Sequence, residues 1–230
     1  MLYKNERPFL IFLKMPKLSQ KVLEAKKRHI ADAARQLFIT QGFHATSMRD
    51  IAARAEVSLG NLYNYFGNKE ELLESIIAAY QSVIDARLRE IFDEVDAPLE
   101  PASLRRFGQA VKLLVNEHAD YWLLMYIDVL EFENRHFRKM FDGLAENLGR
   151  RFAPYFAGLE ASGALHAESN PVLGFTAAYM QFFSYFLVER LFGGNQHFGM
   201  DDDQVIEHLT TLYCRGVFAP EAAAKALGTQ

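Results

Sequence analysis

The sequence predicts an all-α fold, and three observations predict it. Apolar residues recur at steps of three and four along most of the chain. No stretch alternates apolar and polar residues with period two, so no sheet is expected. Glycine, proline and Ser/Asn/Asp fall between the periodic stretches, where helix ends need them. With 230 residues, half of them hydrophobic, the chain can form one large or two modest domains with a sizeable core.

Residues 1–18 stand apart. Pro8 and Pro16 interrupt them, and the apolar run Phe9–Leu13 has no evident partner. They are either an arm that packs on the rest of the chain or reaches a partner, or translation begins at Met15. The first helix is expected over about Ser19–Thr40. Val22, Ile30, Ala33, Ala34, Leu37 and Phe38 form its apolar stripe, and Lys26, Lys27 and Arg28 crowd one turn. Gly42 is placed to close it.

Residues 46–69 read as two short helices and a turn. Thr46 is a suitable N-cap, with Ile51, Ala52 and Ala55 following at helical spacing. Glu56-Val57 makes the turn. Ser58 caps a second helix from Leu59 to about Tyr65, which Gly67 is placed to end, and Asn68 caps the next. Ile51, Ala55, Val57, Leu62 and Phe66 can pack together. The opposite face offers Leu59, Gly60, Asn61, Tyr63, Asn64 and Tyr65, polar and aromatic with no carboxylate, and Lys69 lies just beyond. Such a face suits a DNA groove. Amides can bond base edges, hydroxyls and a lysine can bond phosphates, and a glycine lets a backbone come close.

The stretch from about Lys27 to Leu73 resembles the DNA-binding domain of TetR-type transcriptional regulators. The resemblance rests on Ile30, Ala33-Ala34, Leu37-Phe38, Gly42-Phe43, Thr46, Ile51-Ala52, Ala55, Val57-Ser58, Gly60, Leu62-Tyr63, Tyr65-Phe66, Lys69 and Leu72. One departure is Glu56, where the family usually has glycine; a positive φ there carries a steric cost. The resemblance implies an N-terminal three-helix helix-turn-helix domain joined by a long helix to a larger C-terminal ligand-binding and dimerisation domain. The expected boundaries are 1–18 for the arm, 19–67 for the DNA-binding domain and 68–230 for the body. It also implies DNA contacts by Lys27, Thr46, Ser58, Leu59, Gly60, Asn61, Tyr63, Asn64, Tyr65 and Lys69.

Charge divides the chain in the same way. Up to Gly67 there are eleven basic and five acidic residues, a net +6, which leaves −10 for the rest of a chain of formal charge −4. A basic end suits DNA, and an acidic body is repelled by it.

After the reader, a long helix is expected over about Lys69–Val95, spanning about 40 Å. Further helices are expected over about Ser103–Glu117, Ala119–Glu133, Arg135–Ser162 with Pro154 kinking or dividing it, Pro171–Phe192 with Gly193-Gly194 ending it, and Asp202–Phe218. Aromatic side chains crowd two of these, and the surplus suits a ligand cavity or a subunit interface. The resemblance places a pocket inside each body and a homodimer interface on the last two long helices. Trp122, Met125, Tyr126, Phe132, Tyr179 and Phe183 are the candidate pocket lining, with Asp128, Glu131 and His136 as polar anchors. Val205, Leu209, Leu212, Tyr213 and Val217 are candidates for the dimer seam.

Other classes find little support. The seven histidines are scattered without metal-ligand spacing, and His197 with Asp201–Asp203 reads as a solvated loop before an acidic helix start. No phosphate-binding glycine loop or nucleophile elbow is present, so neither an enzyme nor a cofactor is expected. The single cysteine, Cys214, excludes an intrachain disulfide and suits a reducing compartment. No run approaches a membrane span, so a cytoplasmic protein is expected, without membrane contact. The expected function is a ligand-responsive regulator. More specifically, it is a repressor released from a palindromic operator in double-stranded DNA by an apolar or aromatic small molecule. The alternative is a ligand-independent factor of the same fold acting with a protein partner.

Overall fold

The computed structural model describes residues 20–138, 142–192 and 197–229, so the expected arm over 1–18 and the Gly193-Gly194 stop lie outside the described residues. All the regular structure among the described residues is helical. A single antiparallel bridge, Leu165 to Phe218, ties a loop to the end of a helix.

The first three helices are α1 (Gln20–Gln41), α2 (Met48–Arg54) and α3 (Leu59–Tyr63). Ile30, Ala34 and Phe38 of α1, Ile51 of α2 and Leu62 of α3 are fully buried together. The cap of α2 is Ser47, one residue later than expected. Its hydroxyl accepts from the Asp50 N–H, and the Asp50 carboxylate accepts from the Ser47 N–H, a reciprocal capping box. Thr46 instead turns inward, 1% exposed, and its hydroxyl donates to the Gly42 carbonyl at 2.8 Å. Glu56 in the turn has φ 52°, so the left-handed conformation is adopted by a residue with a Cβ.

α4 (Lys69–Asp93) is 25 residues long, about 37 Å. Asn68 caps it, with its side chain accepting from the Glu71 N–H. Its first turns bury Leu72, Leu73, Ile76 and Ile77 against α1, which makes them part of the N-terminal core. Its later turns enter the body, where Phe92 stacks on Phe107 at 5.8 Å.

The body comprises α5 (Pro101–Glu117), α6 (Ala119–Glu131), α7 (Leu144–Arg151), α8 (Ala153–Ser162), α9 (Pro171–Leu191), α10 (Asp202–Val217) and α11 (Pro220–Leu227). The helix expected over Arg135–Ser162 is divided near Pro154 as expected, but it starts late, since Arg135–Phe137 are turn and α7 begins at Leu144. Glu133 and Asn134 take φ of 53° and 60° and turn the chain after α6, and α7 breaks from α8 at Phe152, with Pro154 in the first turn of α8. α5 lies against both α9 and α10. Gly108 permits this, because a Cβ there would stand 3.0 Å from Phe182 and 3.2 Å from Ile206. Phe107, Phe175, Tyr179, Phe182, Phe183, Tyr121 and Trp122 form an aromatic core between α4, α5, α6 and α9. Trp122, the chain's single tryptophan, is buried there.

Contrary to the sequence expectation, α9 is long and apolar enough to cross a bilayer by length and composition. Half of it is buried inside the body against α5, α6 and α10, which is where its apolar surface goes.

The N-terminal helices meet the body at one joint. Arg35 of α1 pairs with Asp120 of α6. Phe43 packs edge-on against Phe132 at 5.0 Å, and His44 faces Glu131 at 2.5 Å. The turn after α6 reaches α4, with Arg135 on Glu70 at 2.7 Å and His136 on Glu74 at 3.2 Å. Asp128, fully buried, holds that turn. Its carboxylate accepts from the His136 and Phe137 N–H groups, both at 3.0 Å, and lies 2.5 Å from His136 Nδ1.

Candidate nucleic-acid interface

α3 is short because its sequence ends it early. Ser58 caps its start by accepting from the Asn61 N–H at 3.2 Å. At the far end Asn64 is the C-cap, and the chain turns through Tyr65 and Phe66, whose N–H groups both bond the Leu62 carbonyl. The helix therefore stops at Tyr63, two residues short of the expected Tyr65 and before Gly67.

One face of α3 is sealed and the other is open. Leu62 and Phe66 point into the core, while Gly60, Tyr63 and Asn64 are exposed, with Tyr63 50% accessible. Leu59, Asn61 and Tyr65 are half-buried at the margins. Among the described residues nothing lies within 4 Å of where a Gly60 Cβ would stand, so their packing does not require glycine there. Since glycine weakens a helix, its presence at an open position fits close approach by something else.

The remaining expected contacts are placed unevenly. Thr46 is buried, with its hydroxyl used internally, and Ser47 is the exposed hydroxyl at the start of α2. Lys69 Nζ donates to the Phe43 carbonyl at 2.8 Å and sits 4.6 Å over the Phe43 ring. Its charge holds the α1–α2 loop against α4, and an anion would have to share it. Lys26, rather than Lys27, lies with Ser58, Asn61 and Tyr65 along the groove between α1 and α3. Lys27 faces away, toward α4. Arg49 is also exposed on α2. The crowding of Lys26, Lys27 and Arg28 within one turn hides which of them shares a face with α3. Only the rotation of α1 against its neighbours separates them.

The six body candidates do not form one group. Trp122 meets Phe183 edge-on at 4.8 Å, and Phe183 stacks on Tyr179 at 6.3 Å, all three buried between α6 and α9. The indole N–H of Trp122 has no acceptor among the described residues. Burial pushes the Tyr179 phenol up to about 12. Phe132 lies at the joint against Phe43, Met125 is half-buried, and Tyr126 is 43% exposed. Of the polar anchors, Asp128 is occupied by the turn it holds and Glu131 by His44. His197 lies 2.8 Å from Glu189, Asp202 pairs with Lys112 at 2.8 Å, and no metal-ligand cluster occurs among the described residues.

α9 and α10 leave an apolar outer face. Leu173, Met180 and Val188 are exposed on α9 and Leu212 on α10, whereas Val205 and Val217, expected in the same seam, are buried within the protomer. Leu209 and Tyr213 are half-buried, and the Tyr213 hydroxyl donates to the Ala177 carbonyl at 3.0 Å.

Comparisons with known proteins agree with this geometry. Residues 30–76 match the family model of bacterial regulatory proteins of the tetR family. The chain is 32% identical over 78 residues to the HTH-type transcriptional repressor KstR2 of Mycobacterium tuberculosis, covering 34% of this chain and 39% of that one. It spans about two-fifths of that relative's length. It is 23% identical over 200 residues to the HTH-type transcriptional regulator YvkB of Bacillus subtilis, covering 84% of this chain and 97% of that one. Among solved structures, that of the ketosteroid transcriptional regulator KstR2 of Mycobacterium tuberculosis superposes with a TM-score of 0.58 at 18% identity, covering 84% of this chain and 95% of that one. A TetR-like transcriptional regulator from Rhodococcus sp. RHA1 gives 0.57 at 24% identity, covering 83% and 94%.

Proposed function

We propose that this chain, TetR-type in its N-terminal domain and in its fold, is a homodimeric repressor. It binds a palindromic operator and is released by an apolar or aromatic small molecule. The observation that carries the reading is the open face of α3. It is free of carboxylates, bears Asn61, Tyr63 and Asn64, and has room above Gly60. Gly60 and its neighbours Leu59 and Asn61 then lie nearest the bases. Ser47, Ser58, Tyr63, Tyr65 and Lys26 lie toward phosphates, with Thr46 and Lys69 in supporting positions and Lys27 turned away from this face. Residues 19–67 form the head and 68–230 the body, with the first turns of α4 shared between them. A DNA-binding role also calls for the cytoplasm.

The apolar faces of α9 and α10 support the dimer, since an exposed Leu173, Met180, Val188 and Leu212 gain by meeting a second copy. The unpaired Trp122 N–H supports an effector carrying an acceptor atom among Trp122, Tyr179 and Phe183. Weakening DNA binding 100-fold needs a preference for the released state of about 2.7 kcal/mol. The direct ring contacts among those same three residues favour a second reading, a ligand-independent factor of this fold acting with a protein partner. The test is binding of the purified protein to DNA from upstream of its own gene, with Asn61→Ala/Tyr63→Ala as control. Tight, salt-sensitive, selective binding that the control loses is expected. Failure there and in an unbiased site selection would overturn the reading.

A further inference from the structure

A cleft of about 340 Å³ opens between α1 and α4, on the side of α1 turned away from α3. The rotation of α1 separates the two sides. Lys26, His29 and Ile30 border α3, whereas Lys27, Arg28, Ala31 and Arg35 line the cleft. Its floor is apolar and shallow-sided, with Ala31 on one helix and Ile76 and Ala79 on the other, and Tyr80 lies at one side. Alanine on both helices keeps these walls of the slot free of bulky side chains.

Three cations border this slot, and part of their donor capacity is unused: Arg35 already donates from Nη1 to Asp120 and faces the Tyr80 hydroxyl. Arg35 Nε is buried and donates to no acceptor among the described residues, with the nearby Asp32 Oδ1 at 3.7 Å. Lys27 and Arg28 make no ion pair or side-chain hydrogen bond among the described residues. Glu24 and Asp32 also border the cleft, so its lining carries one net positive charge. An apolar slot with a buried donor and two free cations at its edge is the pattern of a site for a small organic anion.

We propose that the α1–α4 cleft binds a small planar carboxylic acid, its ring between Ala31 and Ala79 and its carboxylate on Arg35 with Lys27 and Arg28. This site is separate from the Trp122 region of the body. The bound carboxylate competes with Asp120 for the Arg35 guanidinium, and that pair joins α1 to α6. Occupancy therefore loosens the head from the body. The effect on DNA rests on the regulator reading, but the binding does not, so a titration without DNA tests the site alone.

The probe is 2-naphthoate, followed by its own fluorescence anisotropy with the full chain, and 2-naphthalenemethanol is the uncharged control. One saturable site per protomer is expected, with naphthoate preferred over the alcohol at least tenfold. Two variants should each weaken it at least tenfold while circular dichroism stays helical. Ala79→Trp fills the slot, and Lys27→Ala/Arg28→Ala removes two cations with no partners to strand. Absence of saturable binding, equal binding of the alcohol, or binding that survives both variants would overturn the proposal. Since none of these readouts uses DNA, a protein that bound naphthoate but no operator would refute the regulator and leave the site standing.

Discussion

Single residues at the reading face have separable jobs, and substitution can tell them apart. Gly60→Leu adds a side chain where the described residues leave open space, so stability should hold or rise, by up to about 0.8 kcal/mol. Operator affinity should fall at least tenfold, about 1.4 kcal/mol. Thermal melts and gel-shift titrations on the same preparation check both. Lys69→Ala should behave differently, because Lys69 ties the Phe43 carbonyl to α4. It should weaken the head itself, and a loss of DNA binding in that variant is no proof of a phosphate contact. Asp128→Ala strands the His136 and Phe137 N–H groups, and urea denaturation should show a loss of about 2–4 kcal/mol. Burial pushes the Cys214 thiol up to about 11, so at pH 8 it should resist iodoacetamide until denaturant opens α10.

At the scale of elements, periodicity and punctuation made most helices legible. α4, α5, α9 and α10 begin within two residues of expectation, because Asn68, Pro101, Asn170-Pro171 and Asp201 are local signals for helix starts. The break after α6 was legible at Glu133, but the turn that continues through Arg135–Phe137, where a new helix was expected, was not. Its cause is the buried Asp128 carboxylate holding a left-handed turn at Glu133 and Asn134, a tertiary effect no local pattern announces. The start of α2 shows the same limit: Thr46 and Ser47 are equally good caps by type, and only the fold turned Thr46 inward. Between α5 and α10, Arg105 donates to both oxygens of Glu207 at 2.5 and 2.8 Å and holds that carboxyl below its ordinary range. The pair adds stability above the ordinary carboxylate range, lost as pH falls through the lowered folded value. Both side chains are around half exposed, so the effect is small. Acid titration of the unfolding midpoint should show a slightly shallower fall for Glu207→Gln.

For the whole molecule, the charge division and the outer face of α9 and α10 belong together. On the proposed reading, a net +6 through Gly67 and −10 beyond it orient each protomer with its head to DNA. Two heads bound through phosphate contacts should give an affinity falling steeply with salt, with a log–log slope of about −0.9 per phosphate neutralised. Met180→Lys/Leu212→Glu should yield monomers by light scattering while leaving the helical spectrum intact, and should cost operator affinity by removing the second head. The proposed ligand site of the body was the least legible part of the sequence. The pattern showed which helices were rich in aromatics, and three of the six candidates converge. Phe132, placed by the turn after α6, went to the joint with Phe43.

The solitary indole also makes the body self-reporting. Trp122 sits among Tyr121 and Phe183, and the described head has no tryptophan at all. Its emission should be that of a dry site, shifted to the blue, and it should stay so until the aromatic core opens. Heating the protein while recording indole emission beside backbone ellipticity then gives two clocks, one for the body and one for every helix. If they keep the same time, the joint at Arg35, Phe43 and His136 makes the chain a single melting unit. If ellipticity falls first, the head comes loose before the body, and the gap between the curves measures the grip of that joint.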